Sequence, residues 1–253
     1  MPNVITHAVD GVQVITINRP EVRNAIDEAA ATAIAAALDE LDGTDDLAVG
    51  VITGAPPSFC SGMDLRAFLA GERPSVPGRG FAGITERPSA KPLIAAVEGH
   101  ALAGGFEIVL ACDLIVAAET AMFGLPEPRR GLVAAGGGLL RLPERIPYQL
   151  AMEWALTGAL VPADQAHAAG LINRLTGPGG ALDGALELAA QVRACAPLAL
   201  RATKKIISQS PGSAAPGAFD WQRTISEPVR ASQDAREGAR AFAEKRPPQW
   251  RGA

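Results

Sequence analysis

Two glutamates stand in sequence settings that suit acid–base chemistry. Glu107 closes the segment GHALAGGFE (99–107), in which Leu102 is the one bulky apolar residue before the final Phe-Glu pair, and Glu127 lies between two prolines. Two carboxylates that face one pocket can hold a water molecule and divide the acid and base roles. Their separation in the chain does not show that they meet. Each also has a structural interpretation, a helix-dipole partner for Glu107 and a surface ion pair with the following arginines for Glu127.

The small residues before Glu107 indicate that something approaches the backbone closely. The pattern predicts that a strand ends at residues 98–99 and that a helix begins near Gly105. A helix N-terminus carries unpaired N–H groups and a positive partial charge, which suits an oxygen atom with resident or developing negative charge. Tight packing of a strand against a helix would also require glycine, and this segment alone does not decide between the two.

Three further motifs carry weaker signals. PGRGFAG (77–83) has the spacing G-x-G-x-x-G, but the prolines around it disagree with the strand and helix that a dinucleotide site requires. AAGGG (134–138) lacks the Lys-Ser/Thr of a phosphate loop and predicts a turn where backbones pack closely. Cys60 and Ser61 are conceivable nucleophiles without an identifiable base, and no G-x-S-x-G motif is present.

Composition excludes several classes of function. The chain has 253 residues and a net charge of −4, which gives no electrostatic footprint for nucleic acid or an anionic membrane. The three cysteines and three histidines are scattered, so we expect reduced thiols, a cytoplasmic location and no metal site. The N-terminal segment has no signal-peptide pattern, and no apolar run reaches the roughly 18 residues of a membrane helix.

The hydrophobic pattern predicts a layered α/β core followed by helices. The order strand, strand, helix recurs early, and Asp27 is a candidate N-cap for the first long helix. Predicted strands cover 12–18, 47–54, 92–99, 114–119 and 170–176. Predicted helices cover 28–42, 65–72, 105–112, 149–157, 163–169, 181–195 and 197–209, with one or two more after 219. Residues 71–91 and 210–217 are predicted as loops.

In their order, these segments resemble the crotonase family, also called the enoyl-CoA hydratase/isomerase superfamily. The matching segments are VITINRPEVRNAI, FCSGMDL, KPLIAAVEGHALAGGFEIVLACDLIVAAETAMFGLPE, LTGALVPADQAHAAGLINRL and AFAEKRPPQW. The resemblance implies an α/β fold built as a spiral of ββα turns, with a C-terminal helical region that builds trimers, often paired into hexamers. It therefore predicts a core with the acyl-CoA site over 1–195, an oligomerisation region over 196–253, and a homotrimer or hexamer.

The resemblance also implies roles for particular residues. The backbone N–H groups of Met63 and Gly104 would stabilise an oxyanion on an acyl-CoA thioester. Glu107 and Glu127 occupy the positions of the two glutamates of hydratases, where they would bind water, with Glu127 supplying a proton to the α-carbon. No cofactor is implied beyond the coenzyme A of the substrate.

Recognition of CoA is implied at two places in the chain. Family members bind it partly through backbone in segments that correspond here to Arg23, Ala25, Ser61, Asp64 and Leu65. Arg66 occupies a position near the CoA phosphates, and Phe242 and Lys245 resemble a pair that reaches the CoA of a neighbouring subunit. Solvated surface charge is the alternative interpretation of Arg66 and Lys245.

Several departures from the family pattern leave the acyl substrate open. This chain has Ala-Gly-Gly at 103–105, where family members commonly have three glycines. Met63 replaces a smaller residue, and Ala-Ala at 134–135 stands where a proline is usual. Arg129 and Arg130 add positive charge, which would suit a polar or anionic acyl group or pair with acids.

Retention of both glutamates favours an enoyl-CoA hydratase, a lyase of fatty acid metabolism that adds water reversibly across a trans-2-enoyl-CoA double bond. The alternatives are a crotonobetainyl- or carnitinyl-CoA hydratase, an enoyl-CoA delta isomerase, and a non-catalytic relative that binds acyl-CoA or RNA. The acidic net charge and both glutamates argue against the last of these.

Overall fold

The computed structural model describes residues 1–253, which form a six-stranded sheet, two smaller sheets and ten helices. The strands are β1 (Val4–Val9), β2 (Val12–Ile17), β3 (Val49–Gly54), β4 (Ser75–Val76), β5 (Gly80–Phe81), β6 (Leu93–Val97), β7 (His100–Leu102), β8 (Leu114–Ala118), β9 (Met122–Gly124), β10 (Val161–Pro162) and β11 (Arg174–Thr176). The helices are α1 (Glu28–Gly43), α2 (Leu65–Leu69), α3 (Gly104–Ala111), α4 (Gly138–Arg145), α5 (Tyr148–Thr157), α6 (Ala163–Ala168), α7 (Ala181–Arg193), α8 (Pro197–Gln209), α9 (Ala218–Arg230) and α10 (Gln233–Glu244). None of the helices combines the length and hydrophobicity that crossing a bilayer requires.

The main sheet has the strand order β1-β2-β3-β6-β8-β11. Strand β1 pairs antiparallel with β2, and the other neighbours are parallel. The central strands β3 and β6 are buried along their whole length, as continuous runs of apolar residues in parallel sheets usually are. Helices cover both faces, because α7 packs its alanines on one side while α1 and α3 contribute to the larger core on the other.

The small sheet β10-β9-β7 lies directly beside the start of α3. Strand β7 pairs parallel with β9 and ends at Leu102, so Ala103 is the one residue between that strand and the helix. The same sheet leads through β9 to Glu127, three residues after its last member, Gly124. One sheet edge therefore positions both glutamates.

The α/β class and most of the long elements predicted from the pattern are confirmed. The carboxylate of Asp27 accepts a hydrogen bond from Ala30 N (2.7 Å) at the start of α1, and α8 has the bounds predicted for it. Two predicted strands are too long, because β3 begins at Val49 and β11 spans Arg174–Thr176. The tail contains two helices, α9 and α10.

The pattern missed the elements whose existence depends on distant partners. Strand β1 lies at a sheet edge and is exposed along most of its length, so it has little apolar periodicity. Strands β7, β9 and β10 have two or three residues each. Helix α4 follows a run of glycines and contains Pro143, which both argue against a helix in sequence. The predicted loop 71–91 contains the hairpin β4–β5.

Candidate active site

The structure brings both glutamates and both candidate N–H donors to one cavity of about 370 Å³. Glu107 and Glu127 line it together with Met63 and Gly104. Its apolar walls are formed by Leu65, Phe68, Phe81, Leu132 and Val133. A mostly apolar cleft with a few convergent polar groups is the usual form of a site for a small molecule.

The two candidate oxyanion donors lie where two segments of backbone touch. Gly62 has φ +96° and lies so close to the start of α3 that a Cβ on it would be 3.0 Å from Gly104 N. Met63 follows Gly62 directly, and neither its N–H nor that of Gly104 donates to an acceptor in the chain. Two unpaired main-chain donors are therefore presented to the same cavity, one of them at a helix N-terminus.

Close packing explains the glycine pair that opens α3. A Cβ on Gly105 would lie 2.2 Å from the carbonyl oxygen of Cys60, and a Cβ on Gly104 would lie 2.4 Å from the ring of Phe81. The packing interpretation of this segment is thus confirmed. The free Gly104 N–H leaves the binding interpretation in place beside it.

Ala103 adopts a backbone conformation that an alanine rarely takes. Its φ is +52° and its ψ is −128°, a region that favours glycine. Its N–H donates to the carbonyl of Gly124 (2.9 Å), and its carbonyl accepts from the N–H of Phe106 (2.9 Å) and of Glu107 (3.1 Å). Strand β9 and the first turn of α3 together hold this strained residue in place.

Glu107 is a buried carboxylate held by main-chain donors. It lies in the first turn of α3 and is 4% exposed. Its Oε1 accepts a hydrogen bond from Gly138 N (2.9 Å). Burial raises the pKa of Glu107, while N–H groups of Gly138 and Gly136 and the charge of Arg141 partly offset that effect.

Two of the three glycines of AAGGG (134–138) leave room for this carboxylate. A Cβ on Gly136 would lie 2.6 Å from Glu107 Oε2, and one on Gly138 would lie 3.0 Å from Glu107 Cγ. The predicted close packing of this segment is confirmed. Its neighbours are the side chains of Glu107, Leu125 and Arg141 rather than the second backbone that the pattern predicted.

Glu127 is half-buried and begins the 3-10 helix Glu127–Arg130. Its Oε2 is buried and has no hydrogen-bond partner. Burial raises the pKa of Glu127, and the negative charge of Glu107 raises it further. The backbone N–H of Glu127 and the positive charge of Arg130 partly offset this increase. The alternative of a surface ion pair is wrong, because Glu127 makes none, and Arg129 Nε donates instead to the carbonyl of Thr157 (2.7 Å).

A second cavity of about 400 Å³ adjoins the first and is called the CoA groove below, after the CoA-binding role that the sequence predicted for residues lining it. It is lined by all six residues predicted to bind CoA in the first part of the chain: Arg23, Ala25, Ser61, Asp64, Leu65 and Arg66. Ser61, Met63, Leu65 and Arg130 border both cavities. The carboxylate of Asp64 is already used as the N-cap of α2, where it accepts from the N–H of Arg66 (3.0 Å).

Sequence reasoning missed two residues that hold the groove together. Arg19 Nη2 lies 3.0 Å from carboxylate oxygens of both Asp27 and Asp64. Asn24 is buried with φ +55°, and its side-chain amide donates to the carbonyl of Ser58 (2.6 Å). An asparagine between a predicted strand and a predicted helix was the available signal, because asparagine tolerates the left-handed region.

Phe242 and Lys245 lie at the end of α10 and line neither cavity of their own chain. Phe242 is 88% exposed, and Lys245 ends its helix with φ +54°. Their contact with the CoA of a neighbouring subunit stays a prediction.

Cys60 does not suit covalent catalysis. It is fully buried, and burial raises the pKa of its thiol to about 12, so the thiolate form is not available near neutral pH. Ser61 lies at the border of the two cavities without a histidine beside it on the cavity walls.

Comparison with known proteins agrees with the fold. The sequence profile described as enoyl-CoA hydratase/isomerase matches residues 7–253. An enoyl-CoA hydratase from Mycobacterium marinum is 56% identical, with full coverage of both chains and a TM-score of 0.98. A carnitinyl-CoA hydratase from Mycobacterium avium is 40% identical, with full coverage and a TM-score of 0.80.

A curated relative, carnitinyl-CoA dehydratase from Salmonella arizonae, is 42% identical over 247 residues and covers 94% of each chain. The chain belongs to the enoyl-CoA hydratase/isomerase family, and the crotonase-type α/β fold is confirmed. The family and these relatives indicate a lyase of the hydratase or dehydratase type.

Proposed function

We propose that this protein is an enoyl-CoA hydratase, which adds water reversibly across the double bond of a trans-2-enoyl-CoA. The observation that carries this proposal is the contrast between the two glutamates of one cavity. Glu107 accepts main-chain N–H donors, whereas Glu127 has a buried oxygen without any donor. Environments that separate two carboxylates in this way assign one as the base and the other as the acid.

The substrate thioester binds with its carbonyl oxygen between the N–H groups of Met63 and Gly104. These donors lie in fixed main chain, so they need little reorganisation when negative charge develops on that oxygen. Each donor contributes about 3 kcal/mol to stabilisation of the enolate-like transition state. Polarisation of the carbonyl makes the β-carbon electrophilic and the α-carbon ready to accept a proton.

The two glutamates then divide the elements of water between the two carbons. Ionised Glu107 takes a proton from the bound water while the water oxygen forms the bond to the β-carbon. Protonated Glu127 delivers its proton to the α-carbon, so the electrons of the double bond end in the new C–H bond. Transfer of a proton from Glu107 back to Glu127 restores the starting state.

A second candidate is hydration of an acyl-CoA of the carnitinyl type. The relative from Salmonella, which carries that activity in its name, is 42% identical to this chain. Arg73 and Arg130 line the cavity and disfavour a quaternary ammonium group, while Glu86 in the same wall favours one. An isomerase would need a single proton shuttle, which gives the second glutamate no role.

We also propose that the chain assembles as a homotrimer or a pair of trimers through its helical region 196–253. Exposed Phe219 and Phe242 on α9 and α10 support this proposal, because large apolar side chains at 61% and 88% exposure suit a contact with another copy. We place the proposed activity in fatty acid metabolism, in the cytoplasm.

A panel of enoyl-CoA substrates tests the proposed reaction. Purified protein should remove the ultraviolet absorbance of the conjugated thioester when given crotonyl-CoA, and it should do so faster than with crotonobetainyl-CoA. The 3-enoyl isomer serves as the control for double-bond migration. Migration of that bond without uptake of water, together with unchanged crotonyl-CoA, would contradict the proposal.

A further inference from the structure

Arg130 is a charged side chain of the site to which the proposed reaction gives no role. It ends the 3-10 helix that begins with Glu127. It borders both the CoA groove and the cavity that contains Glu107 and Glu127, which is called the acyl cavity below. Its side chain is exposed and takes part in none of the ion pairs of the chain. A guanidinium carries five N–H donors and no acceptor, so it is suited to bind an oxygen atom of a ligand that passes between the two cavities.

The neighbouring arginine is used differently. Arg129 Nε donates to the carbonyl of Thr157 at the end of α5. Gly158 leaves room for this contact, since a Cβ there would lie 3.1 Å from Arg129 Cγ. Arg129 therefore docks the 3-10 helix on α5, while Arg130 faces the two cavities. Two adjacent residues of the same type thus provide a natural pair of test and control.

The position of Arg130 specifies which part of a substrate it meets. Three of the four residues that border both cavities belong to the segment 61–65, and Arg130 is the one that comes from elsewhere in the chain. A thioester on the N–H of Met63 has its acyl group in the cavity and its pantetheine arm in the groove. Arg130 borders the passage between the two cavities. The groups of a pantetheine arm that a guanidinium can bind are its amide carbonyl oxygens.

We propose that Arg130 binds a carbonyl oxygen of the pantetheine arm at the point where the CoA groove opens into the acyl cavity. This inference rests on the proposed function for the identity of the ligand. The sequence left open what the positive charges of Arg129 and Arg130 do. In this inference Arg129 has a structural role, and Arg130 binds the substrate.

The same charge acts on the proposed acid. The charged groups that line the cavity together with Glu127 are Glu107 on α3, Arg130 on its own turn, and Arg73 and Glu86 from the segment 71–91. The charge of Arg130 counteracts the raised pKa of Glu127. Removal of that charge moves the pKa of Glu127 further up, so protonated Glu127 persists to higher pH.

Three variants test the inference: Arg130→Met, Arg130→Lys and Arg129→Met. Binding is measured with butyryl-CoA, a saturated thioester that cannot be hydrated, and kcat and KM are measured with crotonyl-CoA across pH. We expect Arg130→Met to weaken butyryl-CoA about tenfold, equivalent to about 1.4 kcal/mol, and to raise KM more than it lowers kcat. It should also move the alkaline limb of kcat/KM to higher pH. Arg130→Lys should restore most of the lost affinity and most of the original pH profile. Arg129→Met releases the turn that carries Glu127, so it should lower kcat, and it should weaken butyryl-CoA binding much less than Arg130→Met does.

The outcomes separate this inference from the proposed function. If the unmodified protein hydrates crotonyl-CoA and Arg130→Met binds butyryl-CoA as tightly as Arg129→Met does, the role of Arg130 is wrong and the hydratase stands. If butyryl-CoA binding depends on Arg130 but crotonyl-CoA is not hydrated, the hydratase is wrong and the binding role stands. An equal loss of binding in all three variants would overturn the role of Arg130, because docking on α5 would then explain it.

Discussion

At the scale of single residues, identical carboxyl groups acquire different chemistry from their surroundings. Glu107 is more deeply buried than Glu127, yet its charge is supported by a main-chain donor at 2.9 Å. Glu127 faces the charge of Glu107 and has an oxygen with no donor. The order of family motifs was sufficient to place both residues in the site. It could not supply the N–H of Gly138 or the orphaned oxygen of Glu127, because both depend on how distant segments pack.

The first prediction concerns the pH dependence of hydration. The pKa values of Glu107 and Glu127 are both raised, chiefly by burial. The proposed reaction requires ionised Glu107, so activity should fall as the pH drops through the raised pKa of that residue. The reaction also requires protonated Glu127, so activity should fall again as the pH rises through the raised pKa of Glu127. A bell-shaped profile of kcat/KM for crotonyl-CoA is expected. A profile that stays flat on both sides of neutrality would contradict this division of roles.

The second prediction concerns the glycine that encloses Glu107. Gly136→Ala would place a Cβ 2.6 Å from Glu107 Oε2 in the present geometry, so the carboxylate has to move. We expect kcat to fall by about a hundredfold, since a displacement of about 1 Å can have that effect. Gly177→Ala is the matched control, because a Cβ there has no neighbour within 4 Å and φ is not positive. Equal kinetics for the two variants would show that the position of Glu107 does not limit the rate.

At the scale of elements, the site depends on a strand that leads into a helix through one residue. Long strands and helices were predictable because their apolar periodicity is local. The three-residue strands β7 and β9 were not, since their hydrogen bonds to each other stabilise them rather than any local preference. Helix α4 was not predictable because it begins at Gly138, which leaves room for the distant Glu107, and because it contains Pro143.

A third prediction follows from the strained junction at Ala103. Ala103→Gly should raise the free energy of unfolding by about 1 kcal/mol, because glycine adopts its positive φ without the side-chain clash. Ala36→Gly on the exposed face of α1 is the control and should lower that free energy by about 1 kcal/mol. Chemical denaturation of both variants measures the difference. If Ala103→Gly lowers the free energy of unfolding as much as Ala36→Gly does, Ala103 is not strained.

At the scale of the whole molecule, the C-terminal helices connect the core to the proposed assembly. Trp250 Nε1 donates to the carbonyl of Ala194, so the end of the chain returns to the core just after α7. Lys204 Nζ on α8 donates to Asp113 Oδ2 (2.6 Å) beside β8. These contacts involve residues far apart in sequence, and composition gave no indication of them.

The fourth prediction concerns this region. Removal of residues 219–253 should convert the proposed oligomer to monomers, as measured by analytical ultracentrifugation. Because truncation also removes contacts within the chain, Phe242→Ala is the gentler companion variant. It removes a side chain that is 88% exposed in one subunit, so it should keep the stability of the subunit while weakening the assembly or CoA binding. A truncated chain that still sediments as a trimer would contradict the role of the tail.

The central claim is that Glu107 and Glu127 perform the chemistry while other groups bind the thioester. It is tested most directly by steady-state hydration of crotonyl-CoA by Glu107→Gln and Glu127→Gln, with butyryl-CoA affinity measured on the same preparations. Each glutamine keeps the shape of the side chain and loses its acid–base function. The account predicts that each variant loses at least about a hundredfold in kcat while its affinity for butyryl-CoA stays nearly unchanged. Turnover at the original rate in either variant would contradict it.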